Sequence, residues 1–202
     1  MKKLTKLFGL LLVAGALLTG CQQNVDIDTN EIKLSNGKWE MNSKVVETEK
    51  GSTMGLSYES SQTTKGKSTF KVSGDDMEYL SSSISLSGKI EFPADTNDAT
   101  LEFAKGMIET MLPSDTELKQ EGTTFSYSYS ATATEDDIKE QNEENPKVSS
   151  MSKSLPKVAR IQTNKKKTEY KISWEEESND VSDPENPESS KTTYLYTIKK
   201  QK

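Results

Sequence analysis

Phe125-Ser126-Tyr127-Ser128-Tyr129-Ser130-Ala131-Thr132-Ala133 alternates apolar and hydroxyl side chains without a break. Successive side chains of an extended strand point to opposite faces, so this stretch has one apolar face and one wet face. A helix would scatter the same residues around its circumference. The parity recurs along the chain. Trp39, Met41, Ser43 and Val45 alternate with Lys38, Glu40, Asn42 and Lys44. Leu56/Tyr58, Phe70/Val72 and Ile84/Leu86/Ile90/Phe92 repeat the theme, as do Tyr170/Ile172/Trp174 and Tyr194/Tyr196/Ile198. Turn chemistry sits at Lys50-Gly51, Lys65-Gly66 and Gly74-Asp75-Asp76. The pattern predicts a mainly β fold: an antiparallel sheet, sandwich or barrel-like, of seven to nine strands.

One segment has another period. Between Asp98 and Leu112, the residues Leu101, Phe103, Ala104, Met107, Ile108, Met111 and Leu112 recur at helical spacing. Asn97 or Asp98 can cap the start, and Pro113 stops the run. This predicts one amphipathic helix packed on the sheet or plugging its end. Glu135–Glu144 is polar throughout and reads as a short exposed helix or a solvated loop.

Composition excludes several chemistries. The 202 residues hold 26 Lys and Arg, 32 Asp and Glu, one Cys and no His, for a net charge of -6. Without His there is no Ser-His or Cys-His dyad and no His-ligated zinc. One cysteine forms neither an internal disulfide nor a multi-thiolate site. The acidic balance, with Arg160 as the single arginine, argues against nucleic-acid binding, which needs clustered cations. The expectation is no metal, no cofactor and no catalytic residue.

The first residues carry an address. Met1-Lys2-Lys3-Leu4-Thr5-Lys6 is cationic, and Leu7 to Leu17 is apolar but too short to span a bilayer. The run closes on Leu18-Thr19-Gly20-Cys21. This resembles the lipobox of bacterial lipoproteins. The resemblance implies diacylglycerol on the Cys21 thiol, cleavage before Cys21 and residence on the outer face of a cell membrane. Removing residues 1–20 takes away Lys2, Lys3 and Lys6 but no acid, which leaves -9. Residues 21–35 read as the lipidated cysteine and a tether. Residues 36–202 read as a single extracytoplasmic β-rich domain. Within it, residues 175–190 form a flexible acidic loop between the last two strands, because its prolines and like charges oppose a central strand.

Motif-like strings elsewhere fail on their own terms. Ser-x-x-Lys occurs at Ser35/Lys38, Ser68/Lys71, Ser150/Lys153 and Ser154/Lys157, but no Lys-Thr-Gly or Ser-Asp-Asn follows. Asp26-x-Asp28-x-Asn30 opens like a calcium loop, yet its sixth and twelfth places hold Glu31 and Gly37. The aromatics Trp39, Tyr127, Tyr129, Tyr170 and Trp174 are candidates for facing a ligand or filling the core. Gly37-Lys38-Trp39 resembles the Gly-x-Trp signature on the first strand of lipocalins and related calycin barrels. That resemblance implies a closed barrel around a small apolar ligand. The expected role is therefore non-catalytic binding or interaction at the cell envelope, with an envelope protein or polymer as partner. The alternative is a lipocalin-like carrier of a small apolar ligand.

Overall fold

A computed structural model describes residues 25–53, 56–180 and 188–202. The stretch read as a leader, 1–20 with its Leu18, Thr19 and Gly20, and Cys21 lie outside the described residues. Among these there are nine strands in one antiparallel sheet: β1 (Val25–Ile27), β2 (Gly37–Thr53), β3 (Leu56–Ser73), β4 (Asp76–Glu91), β5 (Glu117–Glu121), β6 (Thr124–Thr132), β7 (Arg160–Thr163), β8 (Glu169–Asp180) and β9 (Glu188–Lys200). Their spatial order is β1-β7-β8-β9-β2-β3-β4-β6-β5. The sheet is open, with β1 and β5 at its two edges, so the barrel-like expectation is corrected.

The alternation is realised through register. Trp39 pairs with Phe70, Met41 with Ser68 and Ile198, and Ser43 with Gly66 and Tyr196. Ile90 pairs with Phe125, Gly88 with Tyr127 and Leu86 with Tyr129. A bulge at Thr69/Phe70 lets Leu80 stand unpaired, which brings Tyr79 and Ile84 onto one face despite their distance in sequence. One face of the sheet therefore collects nearly all the apolar side chains.

Two covers lie over that face. The helix α1 (Asp98–Met111) is the predicted amphipathic one. Asn97 caps it by accepting the Thr100 amide at 3.0 Å, Leu101 and Ile108 are buried with Phe125, and Ala104 is buried on the same helix. Phe103 and Met111, predicted on its apolar stripe, are exposed, because the helix meets only the strands beneath it. The other cover is a pair of helices, where one packed helix and a polar stretch, helical or looped, were expected. The polar stretch forms α2 (Glu135–Glu143), opened by a reciprocal capping box between Thr134 and Asp137. A further helix, α3 (Val148–Ser154), had no periodic signal and buries Val148.

The segment carrying α2 and α3 zips the edge of β4 that β6 does not reach. Ala133 donates to the Ser82 carbonyl, the Asn142 side chain bonds both backbone groups of Tyr79, and Met77 donates to Pro146. Backbone groups on a strand edge need such partners when buried. The tight turn Gly74-Asp75 completes the clasp. Gly74 has φ +66°, a conformation that glycine adopts without strain, and Asp75 accepts both the Ser149 amide at 2.8 Å and its hydroxyl at 2.6 Å. Asp75 thus caps α3 from another element, since Lys147 at the helix start supplies no side-chain cap.

Three further expectations differ from the structure. Part of the stretch read as a tether belongs to the fold: β1 pairs with β7, and Ile32 and Leu34 are buried in the main core. The acidic stretch 175–190 is strand up to Asp180 and again from Glu188; its prolines lie at 181–187, outside the described residues. Glu175 and Glu177 are tolerated there because Lys191 on β9 reaches both, at 2.9 and 3.1 Å. Lys50-Gly51 and Lys65-Gly66 lie within strands instead of turns, Gly51 opposite Tyr58 and Gly66 opposite Ile84.

Candidate functional site

Sequence alone nominated five aromatics, and the structure separates them into different settings. Trp39 is wholly buried; its indole N–H donates to the Ser35 carbonyl at 2.8 Å, and its ring packs 6.3 Å from Tyr170. The Tyr170 hydroxyl donates to the Lys33 carbonyl at 2.8 Å. These two pin the 28–36 segment onto the sheet and are core residues. Tyr129 packs beside Ile84 in a small cluster of its own.

Tyr127 and Trp174 belong to a different arrangement, a polar band across the covered face between its two lids. Tyr127 lies across Gly88 on β4 and reaches Gln62 on β3, donating at 3.0 Å. A methyl group at Gly88 would run into the Tyr127 phenol, so the glycine makes that crossing feasible. Trp174 stacks on Tyr194 at 4.5 Å and on Tyr196 at 5.1 Å. Glu176 ties the end of the stack, accepting from the Trp174 indole and the Tyr194 hydroxyl, each at 3.1 Å. Burial pushes the hydroxyls of Tyr127, Tyr194 and Tyr196 toward the protonated form, and the nearby carboxylates of Glu47 and Glu176 add to it. The Tyr127 and Tyr194 phenols keep their protons at neutral pH and donate hydrogen bonds to Gln62 and Glu176.

Beside this stack a crevice of about 300 Å³ runs between α3 and the sheet. Met41, Tyr196 and Ile198 form its floor, Met151 and Leu155 its roof, and Glu144 and Lys147 its rim. Two buried hydroxyls stand directly opposite each other on neighbouring strands, those of Ser43 and Tyr196, and neither has a hydrogen-bond partner among the described residues. Among the described residues no cluster of three or more His, Cys, Asp or Glu converges on a metal site.

Sequence reasoning missed Gln62, Glu176 and Asn142. Gln62 sits in the polar run from Glu59 to Thr69, and nothing in that run marks which polar residue meets a tyrosine two strands away. Only the register discloses it. No protein-family model matches the chain, and no curated protein matches it in sequence.

Proposed function

We propose that this chain is an extracytoplasmic lipoprotein, held to the outer side of a cell membrane by diacylglycerol on Cys21, with a non-catalytic binding role at the cell envelope. The anchor reading rests on the cationic start, the short apolar run and Leu18-Thr19-Gly20-Cys21 in the right order. The binding reading rests on one observation: both helical covers and the core occupy a single face of the sheet, which leaves the other face of its five long strands turned to solvent. A sheet covered on one side only presents a broad, rigid, pre-formed surface, whose outward side chains lose little entropy on meeting a partner.

The test is expression of the full chain in a bacterium supplied with labelled palmitate. Label should enter the parent chain and the protein should sediment with membranes; Cys21→Ser should lose both. Equal labelling of the two proteins would refute the anchor. A second reading, carriage of a small apolar ligand, draws on the crevice beneath α3 and the unpartnered Tyr196 hydroxyl at its floor. Native mass spectrometry would show it as a stoichiometric extra mass lost on denaturation.

A further inference from the structure

Lysines on the outward face of the sheet are distributed in two distinct ways. In the half nearest the β8–β9 loop, each lysine has a carboxylate partner: Lys50 with Glu59, Lys89 with Glu91, Lys119 with Glu117, and Lys191 with Glu175 and Glu177. The other half is built differently. Lys38 stands directly opposite Lys71, and Lys44 directly opposite Lys65. Lys67 follows on β3, and Lys171 and Lys199 continue the patch onto β8 and β9; the outward carboxylates beside them are Glu40 and Glu169, both opposite Lys199, and Glu78 on β4, opposite Lys71. Among these seven lysines only Lys67 forms an ion pair among the described residues, with Glu40 at 3.0 Å.

Like charges directly opposite on neighbouring strands destabilise a sheet. This chain has more acids than bases and pairs the outward lysines of the other half with carboxylates, so two facing lysine pairs are a cost that folding does not require. We infer that the outward face of β2, β3, β8 and β9 binds a linear phosphate polymer; the inference rests on the envelope-binding reading and names its partner. The patch runs about 20 Å along the strands from Lys65 to Lys71 and about 14 Å across them from Lys171 to Lys67. Lysine ammonium groups meet phosphate as compact point charges, without the fixed bidentate geometry that arginine imposes, which suits successive phosphates along a flexible chain.

The same face discriminates between anionic partners. A flat anionic membrane laid on it would meet the distal half as well, where Glu59, Glu91, Glu117, Glu121, Glu175 and Glu177 outnumber the lysines. A polymer strand can follow the basic half alone. Between the lysines stand Asn42, Ser173, Leu195 and Thr197, with no aromatic ring to stack a nucleobase, which points to a polymer without bases.

The test uses residues 1–202 in non-ionic detergent micelles, with fluorescently labelled inorganic polyphosphate followed by anisotropy. The parent should bind, and with about four phosphate contacts its Kd should weaken about 50-fold between about 50 and about 200 mM salt. Lys44→Gln/Lys65→Gln and Lys38→Gln/Lys71→Gln should each weaken binding about tenfold or more, while their unfolding temperature stays level or rises because repulsion is removed. Lys50→Gln/Lys191→Gln should bind like the parent. The inference is overturned if the parent does not bind, if both face variants bind like the parent, or if the distal variant loses as much. It is also overturned if anionic phospholipid added to the micelles displaces the polymer, or if oligo(dT) of equal phosphate number binds more tightly. A chain that labels with palmitate yet ignores polyphosphate sinks the polymer and spares the anchor.

Discussion

Replacing Tyr196 by phenylalanine should make this protein more stable, although the position is among its most buried. The side chain is 3% exposed, and its hydroxyl has no hydrogen-bond partner among the described residues. A buried hydroxyl without a partner costs about 1–3 kcal/mol, since its hydration is lost and nothing replaces it. Removing one oxygen leaves a void of about 10 Å³, worth about 0.2 kcal/mol. The ring stays stacked on Trp174, so the packing is otherwise kept. The expected net effect is a gain of about 1 kcal/mol, or about 2–4 °C in Tm for a domain of this size. Tyr170→Phe is the matched control: it makes the same chemical change but deletes a 2.8 Å bond to the Lys33 carbonyl, and should cost about 1 kcal/mol. Urea unfolding followed by tryptophan fluorescence reads both variants, with unchanged m values confirming that only stability moved. A Tyr196→Phe protein less stable than its parent would refute the reasoning, because the hydroxyl would then have a partner.

Two other outcomes follow from the same geometry. Gly88→Ala should destabilise by about 1–3 kcal/mol, because the new methyl drives the Tyr127 ring off β4 and breaks its bond to Gln62; thermal unfolding checks it, and an unchanged Tm would contradict the crossing. Asp75 is held below its ordinary 3.8 by the Ser149 hydroxyl and then by the Ser149 amide. Its folded value is depressed, so its contribution is present above pH 3.8 and is lost as pH falls through the folded value. The Ser149 amide should therefore lose hydrogen-exchange protection in acid before the sheet does, and Asp75→Asn should blunt that pH dependence.

Much of the covered face was legible because burial imposes period two. The alternations from Trp39 to Val45, Phe125 to Ala131 and Tyr194 to Ile198 each became a strand with those residues inward. The middle of β3 was not legible. Between Tyr58 and Phe70 it has no large apolar residue, so the two short signals at its ends read as separate strands instead of one of 18 residues. That polar run is carried by full-length pairing to β2 and β4 on both sides, a non-local stabilisation that a local pattern cannot display. Helix α3 escaped for a related reason. Its cap is Asp75, far away in sequence, and its buried side is Val148 and Ser152 among serines and a lysine. At the candidate site, the aromatic types could be chosen from sequence, but their division into core pins and the Trp174–Tyr194–Tyr196 stack depended on which strands became neighbours.

If Cys21 carries the proposed lipid, the position of β1 sets how the whole sheet would stand at a membrane. With lipid on Cys21, only four residue steps separate the acylated thiol from Val25, which is already paired to Thr163 at the sheet edge. Fully extended, four residues span at most about 14 Å. That is a short leash. The β1 edge would be moored near the headgroups with little freedom to tumble, and the protein would meet its partners close to the bilayer. Anything reaching the far β5 edge would have to approach across the full width of nine strands, about 38 Å at ordinary strand spacing. Lengthening the leash with an inserted flexible linker would then alter which partners come within reach without touching a single residue of the fold.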